Sequence, residues 1–66
     1  MVGYGKRLQE ARREKNMSVV DLAEKCDISV ASVQSYEGEF RAPRDETKIK
    51  LAGALGKTVE ELFFLA

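Results

Sequence analysis

The chain has no histidine, one cysteine, one proline and no long apolar run. Each absence excludes something. A single cysteine, Cys26, cannot close an internal disulfide, and without histidine there is no zinc-ligand cluster. Cys26 therefore reads as a small buried hydrophobe on the same face as Leu22. No stretch approaches the ~20 apolar residues of a membrane span, and the opening Met1-Val2-Gly3-Tyr4-Gly5-Lys6-Arg7 lacks a signal-peptide core. A cytoplasmic protein that makes no use of a membrane is the expectation. Nothing is set up for catalysis either: no metal site, no glycine-rich phosphate loop, and no sizeable cleft to be expected from sixty-six residues. No cofactor and no small-molecule ligand are expected.

A surplus of either charge is also missing. Eleven basic and eleven acidic residues balance to zero. Proteins that bind nucleic acid usually carry a basic excess, so the total argues against that class and only the distribution can restore it. Lys6, Arg7, Arg12, Arg13 and Lys15 load the first segment, and Arg41, Arg44, Lys48 and Lys50 load a later one. Glu60 and Glu61 lie near the end, on what is expected to be another face.

What is present is helix punctuation. The chain reads as one all-α domain, residues 1–66, small enough to sit near the limit for folding without a metal or disulfide. A first helix runs from about Gly5 to Lys15, with Leu8 and Ala11 inward and Asn16 at its stop. Ser18 caps a second, Val19 to Cys26, with Asp21 completing a capping-box-like pair. Ser29 caps a third, Val30 to Glu37. Asp45 and Glu46 favour the positive end of a fourth, Asp45 to Leu55, whose apolar stripe is expected from Ile49, Ala52 and Leu55, widened by Leu51. Gly56 ends it. Thr58 and Glu61 make a capping box for a fifth, from Val59 to about Leu65. Asn16 and Asp27 each end a helix and are the residue types that best tolerate a left-handed backbone after glycine, so both are expected at positive φ. Val20 is expected to be partly buried and Val19 exposed.

The turn Cys26-Asp27-Ile28 leaves so few residues between the second and third helices that they must cross steeply. Leu22, Ala23, Cys26, Ile28 and Val33 supply the apolar seam. Ser18 to Glu37, followed by Arg41-Ala-Pro43-Arg44-Asp-Glu46 and Ala54-Leu55-Gly56, resembles the phage repressor and Cro (XRE-like) helix-turn-helix family. The resemblance runs from about residue 5 to 65. It implies a five-helix, lambda-repressor-like DNA-binding domain whose third helix enters the major groove.

Carried over by position, the family reads bases at Val30, Ala31 and Ser35, with Gln34 beside them. Val30 and Ala31 can touch only a thymine methyl or a sugar, whereas Ser35 can make one hydrogen bond. Val19 stands where the family commonly has Gln, so phosphate contact there falls to the N–H groups at the helix start, and Ser29 opens the next helix in the same way. Phosphate contacts are further expected from Arg41 and Arg44, on a loop stiffened by Pro43, and from Lys48 one turn later. The family also implies a largely buried ion pair between Arg12 and Glu37, a structural role. Gly38-Glu39 departs from the family, which puts Gly where Glu39 stands, and an acid there would repel phosphate. Phe40 is expected to anchor its loop over the core.

Leu62-Phe63-Phe64-Leu65 is more apolar than one short helix requires. Leu62 and Phe63 are expected to close the core, leaving Phe64 and Leu65 for a dimer interface; the alternative packs all four inside. The expected function is a sequence-specific DNA-binding transcriptional regulator, a repressor working as a homodimer on a two-fold site of double-stranded DNA. The competing reading keeps the fold as a protein-interaction module, an antitoxin, adaptor or anti-regulator, with weak or no DNA binding.

Overall fold

A computed structural model describes residues 3–64. Four α-helices and a short helix of π type follow one another: α1 (Tyr4–Glu14), α2 (Val19–Cys26), α3 (Val30–Glu37), α4 (Asp45–Leu55) and α5 (Glu60–Phe64). There is no strand among the described residues. α3 packs on α1 and α2, α4 on α2, and α5 on α1. Leu8, Leu22, Val33, Leu51, Leu55, Leu62 and Phe63 form the fully buried centre. Cys26 lies in this core, its thiol directed at the Lys50 carbonyl, and burial pushes its pKa up. It is a packing residue.

The helix starts follow the capping chemistry. The Ser18 hydroxyl accepts from the Asp21 N–H at 3.0 Å while the Asp21 carboxylate accepts from the Ser18 N–H at 2.9 Å. Thr58 and Glu61 repeat the same box at 3.0 and 2.8 Å. The helix ends share one device. Asn16 and Asp27 both have φ 56°, as expected, and Glu39 and Gly56 adopt the same region at 59° and 66°. In each case the next residue's N–H reaches back five residues, as in Met17 to Arg12 and Ile28 to Ala23, closing carbonyls the helix leaves open. Glycine bears this conformation freely, whereas Glu39 holds it against a steric cost.

Two stripes differ from expectation, for one geometric reason. On α4 the buried face is Lys48, Leu51, Ala52 and Leu55, while Ile49 is 65% exposed. On α2 it is Leu22, Ala23 and Cys26 with Val19 packed against them, and Val20 is half-exposed. Both buried sets are spaced i, i+3, i+4, i+7, the true face of a helix. Ile49 and Val20 each sit one residue off that face, about 100° around. Lys48 is tolerated at a core position because its stem packs while its Nζ lies 5.7 Å from the Phe63 ring centroid and 5.0 Å from that of Phe64.

α1 meets α3 at very close range. A Cβ on Gly5 would collide with the Glu37 carbonyl, so only glycine permits this approach. Tyr4, buried one residue before the expected helix start, stacks obliquely on Phe63 with centroids 5.7 Å apart.

Candidate nucleic-acid interface

The α2–turn–α3 unit presents the start of α3 outward. Ser29 caps it, its Oγ accepting from the Ser32 N–H at 3.0 Å and donating to the Ser32 hydroxyl at 2.9 Å. Val30, Ala31 and Gln34 are exposed and Ser35 is half-buried, while Val33 and Tyr36 turn to the core. The four residues expected to read bases thus lie on one short helix with at least part of each side chain outward. None of them is charged.

Positive charge comes from the next loop. The Arg41 Nη2 donates to the Ser32 hydroxyl at 2.7 Å, and its guanidinium lies 5.3 Å from the Tyr36 ring centroid. Arg44 is exposed at the start of α4 and makes no capping bond with its side chain. Tyr36, Arg41, Ala42, Arg44 and Thr47 surround an open cleft of about 330 Å³. Two guanidinium groups beside a hydroxyl and a helix start suit an oxyanion such as a backbone phosphate.

Other expected contacts are placed differently. Lys48 does not line this cleft: it is 8% exposed, held over Phe63 and Phe64 with its Nζ 3.7 Å from Asp45 Oδ1. The Val19 side chain packs on the core, leaving only its backbone for an anion. Phe40 anchors nothing in the core. It is 88% exposed, its ring resting against Gly38, where an added Cβ would stand 2.5 Å away.

Glu39 was legible as a departure but not as a contact. Its Oε2 accepts from the Gly3 and Gly5 N–H groups, each at 3.1 Å, so the carboxylate caps α1. The Tyr4 hydroxyl donates to the Arg41 carbonyl at 3.3 Å. The start of α1 thereby braces the loop that carries Arg41. Behind it, Arg12 donates through Nε and Nη2 to the Glu37 carboxylate at 2.7 and 3.2 Å and through Nη1 to the Met17 carbonyl at 2.8 Å. Arg7 is also used internally, its Nε donating to the Leu62 carbonyl at 2.7 Å. Much of the basic load of α1 is therefore structural.

Comparison with known proteins places this arrangement. The helix-turn-helix family profile matches residues 8–62. The chain belongs to the XRE-type helix-turn-helix family. It is 33% identical over 61 residues to the HTH-type transcriptional regulator ImmR of Bacillus subtilis (strain 168), a match covering 92% of this chain and 48% of ImmR. The chain thus spans about half the length of the curated relative it matches. Among solved structures it is similar to a chain of a SinR protein/SinI protein complex, with TM-score 0.85 and 28% identity over 91% of this chain and 59% of that one. The all-helical fold of XRE-type transcriptional regulators is the fold of this chain.

The expected interface residue Phe64 is 60% exposed, and Leu65 lies outside the described residues. Phe64 does not stand alone: Asp45, Lys48, Ile49, Val59 and Phe64 line a shallow groove of about 400 Å³. Ile49 belongs to this patch and not to the core stripe. Among the described residues no helix is long and apolar enough to cross a membrane, and no cluster of side chains has the makings of a metal site.

Proposed function

We propose that this chain is the DNA-binding unit of a sequence-specific transcriptional regulator, a repressor that acts in the cytoplasm as a homodimer on a two-fold site. One observation carries the proposal: the uncharged outer face of α3 stands beside a cleft flanked by Arg41 and Arg44. A helix surface that can meet base edges thus adjoins guanidinium groups that can hold the sugar-phosphate backbone. Val30, Ala31, Gln34 and Ser35 read bases in the major groove; Arg41, Arg44 and the helix starts at Val19 and Ser29 hold phosphates. No step of this activity requires a catalyst or a cofactor.

The homodimer is proposed through Ile49, Val59 and Phe64. Two large side chains exposed on one small domain form a patch that a second copy can cover, and pairing doubles the DNA contacts of a unit that reads only a few base pairs. A second reading has its own support: the solved relative is a complex of two differently named proteins, and the net charge here is zero. In that reading the fold holds a protein partner. Selection of bound duplexes from a random pool separates the two. Enrichment of a two-fold consensus supports the regulator, and a pool that stays random at low salt supports the protein-binding module.

A further inference from the structure

We infer that this chain reads its site through thymine methyl groups, so that the base pairs under the start of α3 are A·T pairs. The inference rests on the DNA-binding reading above and narrows it to a class of sequence. It follows from what remains free on α3. The Ser29 hydroxyl is spent on Ser32, and the Ser32 hydroxyl accepts from both Ser29 and Arg41, which leaves it a single O–H donor and no free lone pair. The helix's one ionised side chain, Glu37, is held by Arg12. Val33 and Tyr36 are core. What projects is the Val30 isopropyl group, the Ala31 methyl and the Gln34 amide, with part of Ser35.

Each major-groove base edge offers a particular chemistry. Guanine asks for a fork of donors at O6 and N7, which arginine or lysine supplies best, and α3 has neither. Arg41 is assigned above to phosphate, its guanidinium lying against Ser32 and the Tyr36 ring. The C5-methyl of thymine is the one apolar feature at the edges, and it rewards contact with Val30 and Ala31. Gln34 adds a donor and an acceptor that match N7 and N6 of adenine, the partner of thymine. Both parts of the exposed face therefore favour the same base pair.

Deoxyuridine provides the test, because it keeps every hydrogen-bonding group of thymidine and lacks only the methyl. A site selected from a random pool is rebuilt with uracil at one thymine at a time and titrated with the full chain. At contacted positions each substitution should weaken binding about fourfold, which is ~0.8 kcal/mol for one buried methyl-sized group. The remaining positions and the salt dependence should not change. Val30→Ala should shrink the uracil penalty at one position. Undiminished affinity for the fully uracil-substituted site, or G·C pairs at the protected positions of the selected site, overturns methyl readout and leaves DNA binding intact. Absence of saturable binding to any duplex at low salt overturns the DNA-binding reading, and the inference with it.

Discussion

Replacing Arg12 by methionine should remove a large part of the stability of the fold. The side chains of Arg12 and Glu37 are 10% and 9% exposed, and their closest atoms are 2.7 Å apart. Arg12 also satisfies the Met17 carbonyl. Methionine fills similar volume but leaves the Glu37 carboxylate buried without a counter-charge, a loss of about 3–5 kcal/mol. A chain of this size has roughly 3–10 kcal/mol in total, so the variant should be partly unfolded at room temperature or melt at least about 12 °C lower. Thermal and urea denaturation followed by circular dichroism measure this directly. The double variant Arg12→Met with Glu37→Leu removes both charges and should recover much of the loss, since an apolar pair in the same space is often neutral or better. A single variant within about 1 kcal/mol of the wild type would refute the assignment of this pair as a buried structural link.

Three further outcomes follow from contacts elsewhere. Gly5→Ala should destabilise by about 1–3 kcal/mol in the same melts, because the new methyl meets the Glu37 backbone where α1 touches α3. In acid, the capping carboxylates Asp21 and Glu61 should give up their contribution. Hydrogen bonds from the Ser18 and Thr58 backbones hold both pKa values below the ordinary carboxylate range. Their stabilisation is therefore complete above that range and is lost as pH falls through the depressed values, so Asp21→Asn and Glu61→Gln should flatten the melting-temperature curve between about pH 5 and pH 2. Ile49→Glu should give a folded monomer by sedimentation, with a melting temperature lowered only by the lost association, since an apolar side chain buried at a symmetric interface counts twice, at ~1.5–3 kcal/mol each. A monomeric wild type at DNA-binding concentrations would remove the dimer from the account.

Helix boundaries were legible because their punctuation is local. Ser18, Ser29 and Thr58 act through residues three positions away, and Asn16 and Asp27 through their own backbone preference. Faces were harder to read. Apolar residues invited Ile49 and Val20 into the core, but the helical period admits Lys48 and Val19 instead. The period is the stricter rule because a long lysine stem can satisfy it and a displaced isoleucine cannot. Contacts that depend on distant chain were not legible at all. The bonds from Gly3 and Gly5 to Glu39 and from Tyr4 to Arg41 join residues more than thirty apart, and no local pattern announces them. Phe40, next to Glu39, is exposed where its aromatic character pointed inward. On the candidate interface the residue types on α3 were readable, whereas the withdrawal of Lys48 into the Phe63–Phe64 corner became visible only in three dimensions.

The salt dependence of duplex binding reads the phosphate contacts of the cleft directly. Phosphate contacts from Arg41 and Arg44 in each copy of a dimer make four, and at ~0.9 counterion released per contact they give a log–log slope of about −4. Arg44→Ala should weaken binding to every sequence alike and lower the slope by ~1 for each copy bound. A neutral protein that nonetheless shows this slope, and loses part of it with Arg44, is a DNA-binding regulator using the cleft described. No affinity at low salt, or a slope that Arg44→Ala leaves unchanged, would contradict the account.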